Sequence, residues 1–329
     1  MRWLVTGGGG QLGQCLAAAV MARSGESLVA ALDHSEFDIA RPGALADLLG
    51  SGQLERPDVV VNAAAFTAVD RCEREEAMSW RVNAEAPGWL AEDCRVAGID
   101  CVHVSTDYVF SGTAKEPYSE SASLDPRTAY GRSKAEGERR VLQALPWAMI
   151  VRTSWVFGPG RNFVGAILRQ ARRRAGGLEE GPLKVVSDQC GSPTYAADLA
   201  GGILDLAALA FGSPIADGEG EPEADLGAEV AKTREGERAG MTGIFHLSNS
   251  GRTTWFEFAR SILEQTGYGH LALEPLATAD LNLPAKRPAW SVLGCERAAR
   301  LGVGLRPWRE ALSHYLDSGA GTVLLEEPM

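Results

Sequence analysis

The 329-residue sequence has no apolar run approaching the roughly 20 residues that cross a bilayer. It also shows no secretory leader. MRWLVTGGGG passes from a short strand straight into glycines, where a leader would carry a basic start and an apolar stretch of about 7–15 residues. The expectation is a cytoplasmic protein that does not engage a membrane. The six cysteines (Cys15, Cys72, Cys94, Cys101, Cys190 and Cys295) form no CxxC pair and no finger spacing, so reduced and mostly buried thiols are expected. The five histidines are scattered, with no HExxH, and nothing in the sequence supports metal catalysis. Positive charge is scarce as well. Lys and Arg number 32 against 43 Asp and Glu, a net charge of −11 that argues against nucleic acid as the partner.

What is present is an ordinary globular composition, 45% hydrophobic and 23% charged, on a chain long enough for a large core and a smaller lobe. Short β-rich runs at residues 2–6, 27–32, 58–63, 100–105 and 147–153 alternate with helical stretches at 11–22, 81–97 and 130–145. Apolar strands alternating with helices indicate right-handed crossovers and a parallel sheet covered on both faces. The fold class expected is α/β, a doubly wound parallel sheet of Rossmann type with a second, smaller substrate-binding lobe.

After residue 155 the rhythm changes. A helix is expected at 162–174, a strand at 184–187, a helix at 198–211, a strand at 244–248, and helices near 255–266 and 308–316. Residues 1–155 are assigned to the nucleotide-binding domain, with 183–212 returning to it. Residues 156–182 and 241–329 are assigned mostly to the substrate lobe. Residues 213–240 are acidic and nearly free of large apolar side chains; they cannot bury enough surface to offset their ordering entropy, and a mobile insertion is expected.

Gly7-x-x-Gly10-x-x-Gly13 follows the first strand and opens the first helix. Glycines there allow a tight turn and let backbone N–H groups approach a pyrophosphate at the positive helix end. Asp33 ends the second strand 20 residues after Gly13, where an acid would accept from the adenosine ribose and favour NAD over NADP. Tyr130 and Lys134 stand at i and i+4, on one helix face. A lysine cation beside a tyrosine lowers the phenol pKa, so that Tyr130 can serve as general acid or base toward a carbonyl or alcohol. Thr106 and Asp107 fall at the carboxyl end of the fourth strand, where ligands of such sheets bind. The Thr106 hydroxyl can bond the reacting oxygen, and Asp107 can tune the pair or hold substrate.

Together with NAAA (62–65), STDYVF (105–110), YGRSK (130–134) and RTSWVFG (152–158), these residues resemble the extended short-chain dehydrogenases. FTAVDRCE (66–73), Asn83, DQCGSPT (188–194), GRTTWFEFA (251–259) and Arg287-Pro288 narrow the resemblance to the dTDP-4-dehydrorhamnose reductases along nearly the whole chain. The resemblance implies reduction of the C4 ketone of a dTDP-sugar by NADPH or NADH, the last step of dTDP-rhamnose synthesis. It implies Thr106, Tyr130 and Lys134 as catalytic triad, with Asp107 beside them. It implies Gly7, Gln11, Leu12, Asp38, Ile39, Ala63, Ala64, Ala65 and Lys134 as cofactor contacts, and Trp155, Asn162 and Arg287 near the nucleotide sugar. Some members are described as magnesium-linked dimers using a glutamate early in the first helix. Cys15 stands there in this chain, so both Mg2+ and the homodimer stay open. Related dehydratases tend to carry an acid after the Thr-Asp pair, where this chain has Tyr108, and epimerases usually lack the pair. Another sugar-nucleotide reductase or epimerase is the alternative. So is a regulatory role like that of the β subunit of methionine adenosyltransferase, which an intact triad disfavours.

Overall fold

The computed structural model describes residues 1–212 and 240–318. The acidic stretch 213–240, apart from Gly240, lies outside the described residues. Six strands, β1 (Arg2–Thr6), β2 (Ser27–Leu32), β3 (Val59–Asn62), β4 (Asp100–Thr106), β5 (Met149–Thr153) and β6 (Gly243–His246), form one parallel sheet. The order is β6-β5-β4-β3-β1-β2. Successive residues of a strand point to opposite faces, and the sequence has apolar residues at both. Val5, Val61, Val102 and Val151 pack on one side against Leu16 and Val20 of α1 (Gln11–Met21). Leu4, Val60, Cys101 and Ile150 pack on the other, against Leu90 and Cys94 of α2 (Ala86–Ala97) and Val141 of α3 (Ala129–Ala144). Each large aliphatic chain buried this way contributes about 1.5–3 kcal/mol, which is why these strands read as unbroken Val/Ile runs. The sheet is doubly wound, as expected from the sequence.

The expected helix at 81–97 is not uniform. Arg81–Glu85 forms a widened π turn that leads into α2, whose first turn contains Pro87. Proline has no N–H to donate to the preceding turn, so the regular ladder cannot run through it.

The second lobe comprises α4 (Phe163–Ala175), α6 (Trp255–Gln265) and α7 (Trp308–Asp317) around a separate core of Val164, Leu168, Phe258, Ile262, Leu312 and Tyr315. Between α4 and α6 the chain returns to the first core through α5 (Ala196–Phe211), whose Leu199 and Ile203 pack beside α1. The strand Leu183–Val186 pairs instead with Leu273–Leu276 and packs in the second core. Conversely, β6 follows α5 in the described chain yet adds to the edge of the main sheet. The chain therefore crosses between lobes more than once. β2 lies on one side of β1 and β3 on the other. Winding reverses between β1 and β3, and a crevice opens outside their carboxyl ends.

Candidate active site

The turn from β1 into α1 lies at that crevice. Gly7 has φ +74°, and a Cβ there would lie 2.7 Å from Ala64 N. The Gly8 N–H donates to Leu32 O (2.8 Å) and the Gly10 N–H to Gly7 O (3.0 Å), closing the turn. A Cβ on Gly13 would run into the carbonyl of Gly7, so helix and turn can only be this close with glycine there. Gly10 is the N-cap of α1 and has no side chain to cap with, which leaves the first-turn N–H groups for an anion.

A cleft of about 770 Å3 opens beside this turn. Of the residues expected to contact a cofactor, Gly7, Gly10, Asp33, Asp38, Ile39, Ala63, Ala64 and Ala65 line it; Gln11, Leu12 and Gly13 stand behind on α1. The Gln11 Nε2 donates to Arg161 O (3.1 Å), while its buried carbonyl oxygen has no hydrogen-bond partner among the described residues. One Asp33 carboxylate oxygen accepts from the Ser35 hydroxyl (2.6 Å) and the Ser35 N–H (2.7 Å), which lowers its pKa. An open helix N-terminus, a glycine cradle and an acid at the end of β2 fit a dinucleotide. Sequence reasoning missed His34, Ser35, Arg71 and Met78, which line the same cleft, the first two from the turn after β2 and the others from the short helices Val69–Arg74 and Glu76–Trp80. Asn83 pins the loop after β3: its Oδ1 accepts from Phe66 N–H (2.8 Å) and its Nδ2 donates to Phe66 O (3.0 Å).

Thr106 ends β4, and Tyr130 and Lys134 face it from α3, whose first turn is capped by the Thr128 hydroxyl accepting from Gly131 N–H (3.0 Å). The Thr106 hydroxyl donates to Asp107 Oδ1 (2.9 Å) and accepts from Tyr108 N–H (3.2 Å). The Tyr130 ring packs edge-on against Tyr108, centroids 5.5 Å apart. Burial raises the Tyr130 pKa above the usual phenol value, and a hydrogen bond with Thr106 opposes the rise. The Lys134 ammonium, expected to lower the phenol pKa, lies elsewhere: its Nζ donates to Val104 O (2.6 Å) and sits 3.1 Å from His103 Nε2. Burial therefore prevails at Tyr130, and the phenol keeps its proton. Burial also brings Lys134 down to about 8 and Asp107 up to about 7; the second Asp107 oxygen is buried with no hydrogen-bond partner among the described residues.

Three residues were expected near the sugar. Trp155 follows β5 with φ +47° and stacks on Trp255, centroids 3.7 Å apart. Arg287 pairs with Asp70 across the lobes and lines a smaller pocket of about 330 Å3 with Tyr108, Arg127, Thr128 and Lys286. Asn162 caps α4: its Oδ1 accepts from Gly165 N–H (3.0 Å), and its Nδ2 donates to Tyr315 Oη (2.9 Å) and to the Gly158 and Gly160 carbonyls. Those bonds occupy its amide protons.

A family model described as RmlD substrate binding domain matches residues 1–320. The chain is 39% identical over 315 residues to the probable dTDP-4,6-dihydroxy-2-methyloxan-3-one 4-ketoreductase of Streptomyces antibioticus, covering 95% of this chain and 93% of that protein. It is 37% identical over 333 residues to the dTDP-4-dehydrorhamnose reductase of Mycobacterium tuberculosis, covering 99% and 95%. The chain belongs to the family of the dTDP-4-dehydrorhamnose reductases. Its fold is similar to the crystal structure of the family member from Clostridium acetobutylicum, with a TM-score of 0.78, 33% identity, and 96% and 99% of the two chains covered. The member from Bacillus anthracis, solved in complex with NADP, superposes with a TM-score of 0.76 at 28% identity, covering 96% and 98%. Burial pushes the Cys15 thiol up to about 11, and a neutral thiol is a poor metal ligand. Among the described residues no cluster of three or more His, Cys, Asp or Glu could hold a metal ion, and no helix is long and apolar enough to cross a membrane.

Proposed function

We propose that the protein reduces the C4 ketone of dTDP-4-dehydro-L-rhamnose to dTDP-L-rhamnose with NADPH or NADH. The observation that carries this reading is the meeting of Thr106 and Tyr130 at the carboxyl end of β4, with Lys134 one helical turn from Tyr130 and bonded to Val104 O of the same strand. When bound, a reduced nicotinamide dinucleotide supplies the hydride. Gly7, Gly10 and the open first turn of α1 would hold its pyrophosphate, and Asp33 its adenosine ribose.

The remaining work falls to this chain's own side chains. The Tyr130 phenol donates to the carbonyl oxygen where negative charge grows, and the Thr106 hydroxyl, held by Tyr108 N–H, joins it by turning its one proton from Asp107 Oδ1 to that oxygen. Tyr130, which burial keeps protonated, gives its proton to that oxygen. Lys134 would orient the cofactor from the floor of the site. Asp107, titrating near neutrality, sits where it can bond a sugar hydroxyl in either protonation state. Arg287, Lys286 and Arg127 line the small pocket and suit a diphosphate, with Trp155 offering an apolar face to a deoxysugar. In this division the first lobe binds cofactor and the second closes on the sugar. Reduced thiols among the described residues fit a cytoplasmic enzyme.

The test is to incubate purified protein with dTDP-4-dehydro-L-rhamnose and NADPH or NADH, following cofactor oxidation and product mass. No turnover with either cofactor would overturn the reading. The Streptomyces antibioticus relative favours a second one, a 4-ketoreductase of a different dTDP-sugar. Turnover of such a sugar but not of the rhamnose precursor would establish it.

A further inference from the structure

His103 takes no part in the mechanism above, yet it is wholly buried and touches Lys134. Its Nδ1 lies 3.1 Å from Asn62 Nδ2, and its Nε2 lies 3.1 Å from Lys134 Nζ. The Asn62 amide has only one workable orientation. Its oxygen faces the Ala64 N–H (3.2 Å), which can only donate, and the Thr6 hydroxyl lies 2.8 Å from the same oxygen. Asn62 Nδ2, a donor without a lone pair to offer, must then face His103 Nδ1, and that nitrogen must accept.

A neutral imidazole whose Nδ1 accepts carries its proton on Nε2. Burial keeps His103 neutral. The Nε2 proton therefore points at Lys134 Nζ. An ammonium has no lone pair to receive it; an amine does. The amine can still donate to Val104 O, so both contacts of Nζ are satisfied at once.

We infer that His103 is a positioning residue for Lys134, holding the lysine as an amine through an Nε2–H···Nζ bond, and that protonation frees the ammonium from the ring to turn toward Tyr130. Other groups around the pair do not alter the donor count. On α3, Glu138 lies one turn beyond Lys134 and is ion-paired with Arg152 of β5 (2.6 Å), while Tyr130 lies one turn before. β1 and β3 present the neutral Thr6 and Asn62, β5 pairs with His103 through the apolar Ile150, and Asp107 is at the far end of β4.

The structural part of this inference is independent of the reaction; its catalytic consequence rests on the proposed function. Protein labelled with 15N-histidine and free of cofactor is examined by long-range 1H–15N correlation. The His103 signals are assigned by their loss in His103→Gln and by the displacement of Nε2–H in Lys134→Met, which removes its acceptor. An unprotonated Nδ1 and a protonated Nε2 from about pH 6 to about pH 9 are expected. The opposite tautomer, or an imidazolium, would overturn the inference. In the kcat/KM profile, loss of the Lys134 proton forms the basic limb. In His103→Gln the side-chain carbonyl can accept from both Asn62 Nδ2 and the ammonium, so the charged form is favoured and the limb should move up by about one pH unit. A rate that falls with the limb unmoved would make His103 a packing residue only. A wild-type protein inactive at every pH would remove the reductase reading, while the tautomer would still decide this one.

Discussion

Gly10→Val should weaken NAD(P)H binding while leaving the fold intact, and Gly13→Ala should do the reverse of that pattern. The backbone at Gly10 has φ −77° and ψ 166°, an extended conformation that a β-branched residue adopts readily. A Cβ there would meet only Gly7 O, at 3.2 Å, and otherwise faces the open cleft. The stability loss should therefore stay near the N-cap range, about 1 kcal/mol. The two methyl groups, however, would stand over the first-turn N–H groups that the pyrophosphate needs. Loss of one hydrogen bond to a charged group removes about 1.5–3 kcal/mol, which is about a 10- to 100-fold rise in Kd. At Gly13 the added carbon meets a backbone carbonyl that cannot turn aside, so α1 must shift against β1. Overpacking of this kind costs about 1–3 kcal/mol or more and should lower Tm before any ligand is added. Titration of each variant with NADPH and NADH by fluorescence, alongside thermal melts, separates the two effects. An unchanged Kd in Gly10→Val would refute the placement of the pyrophosphate, and an unchanged Tm in Gly13→Ala would refute the packing argument.

Tyr130→Phe keeps the edge contact with Tyr108 but has no proton to give, so kcat should fall by about 10²–10⁴ with little change in Tm; turnover near wild type would remove the phenol from the chemistry. Arg287→Ala should raise KM for the dTDP-sugar while NAD(P)H affinity stays put, because the guanidinium lines the smaller pocket and not the glycine cleft. Equal loss of both affinities would contradict the division between lobes. For Asp107, burial raises the pKa from 3.8 to about 7, so between those values the folded protein holds a proton that the unfolded chain has released. Stability falls as pH rises through that window, and the deficit is complete above it. The Tm advantage of Asp107→Asn over wild type should accordingly be larger at about pH 8 than at about pH 4, and a pH-independent difference would show that the carboxyl titrates normally.

The parts of this molecule that follow local rules could be read from the sequence. Leu4/Val5, Val60/Val61 and Ile150/Val151 carry apolar side chains on both faces of a strand, which only a sheet covered on both sides accommodates. Tyr130 and Lys134 share a face because the helix repeat puts them there. The features missed are those fixed by distant chain segments. Val156–Phe157 and Thr194–Tyr195 are strands of two residues that exist only through pairing with each other, too short for any periodicity. The contact of His103 with Lys134 joins β4 to α3, and nothing in the spacing of 31 residues announces it. It is also why Lys134 fails to lower the Tyr130 pKa as its position alone suggested. Asn162 carries two signals at once. Family resemblance sent it to the sugar, although an Asn directly before a helical stretch is also a cap signal, and capping is what its side chain does here.

Trp155 links the two lobes in a way that bears on how the sugar side is held. It is the one residue besides glycine with positive φ among the described residues, a conformation that costs an L-residue about 1–2 kcal/mol. Two contacts hold it there. Its indole stacks on Trp255 with planes 9° apart, and Trp255 Nε1 in turn donates to Gln189 Oε1 (3.1 Å). Its carbonyl accepts from Thr194 N–H (3.1 Å). Gly191 leaves the room, since a Cβ there would enter the indole. An aromatic pair contributes about 0.5–1.5 kcal/mol beyond its buried area, enough to offset much of the strain. All of these partners come from beyond β5, whereas the glycine turn on the cofactor side packs against β2, the loop after β3 and the first turn of α1. The glycine turn proposed for the cofactor is thus built mainly from the first lobe, with Gln11 Nε2 reaching Arg161 O across the seam, and the indole at the seam is set by packing from the second. A substitution that loosens this seam, away from both pockets, should therefore be felt in the sugar KM before it is felt in the affinity for NAD(P)H.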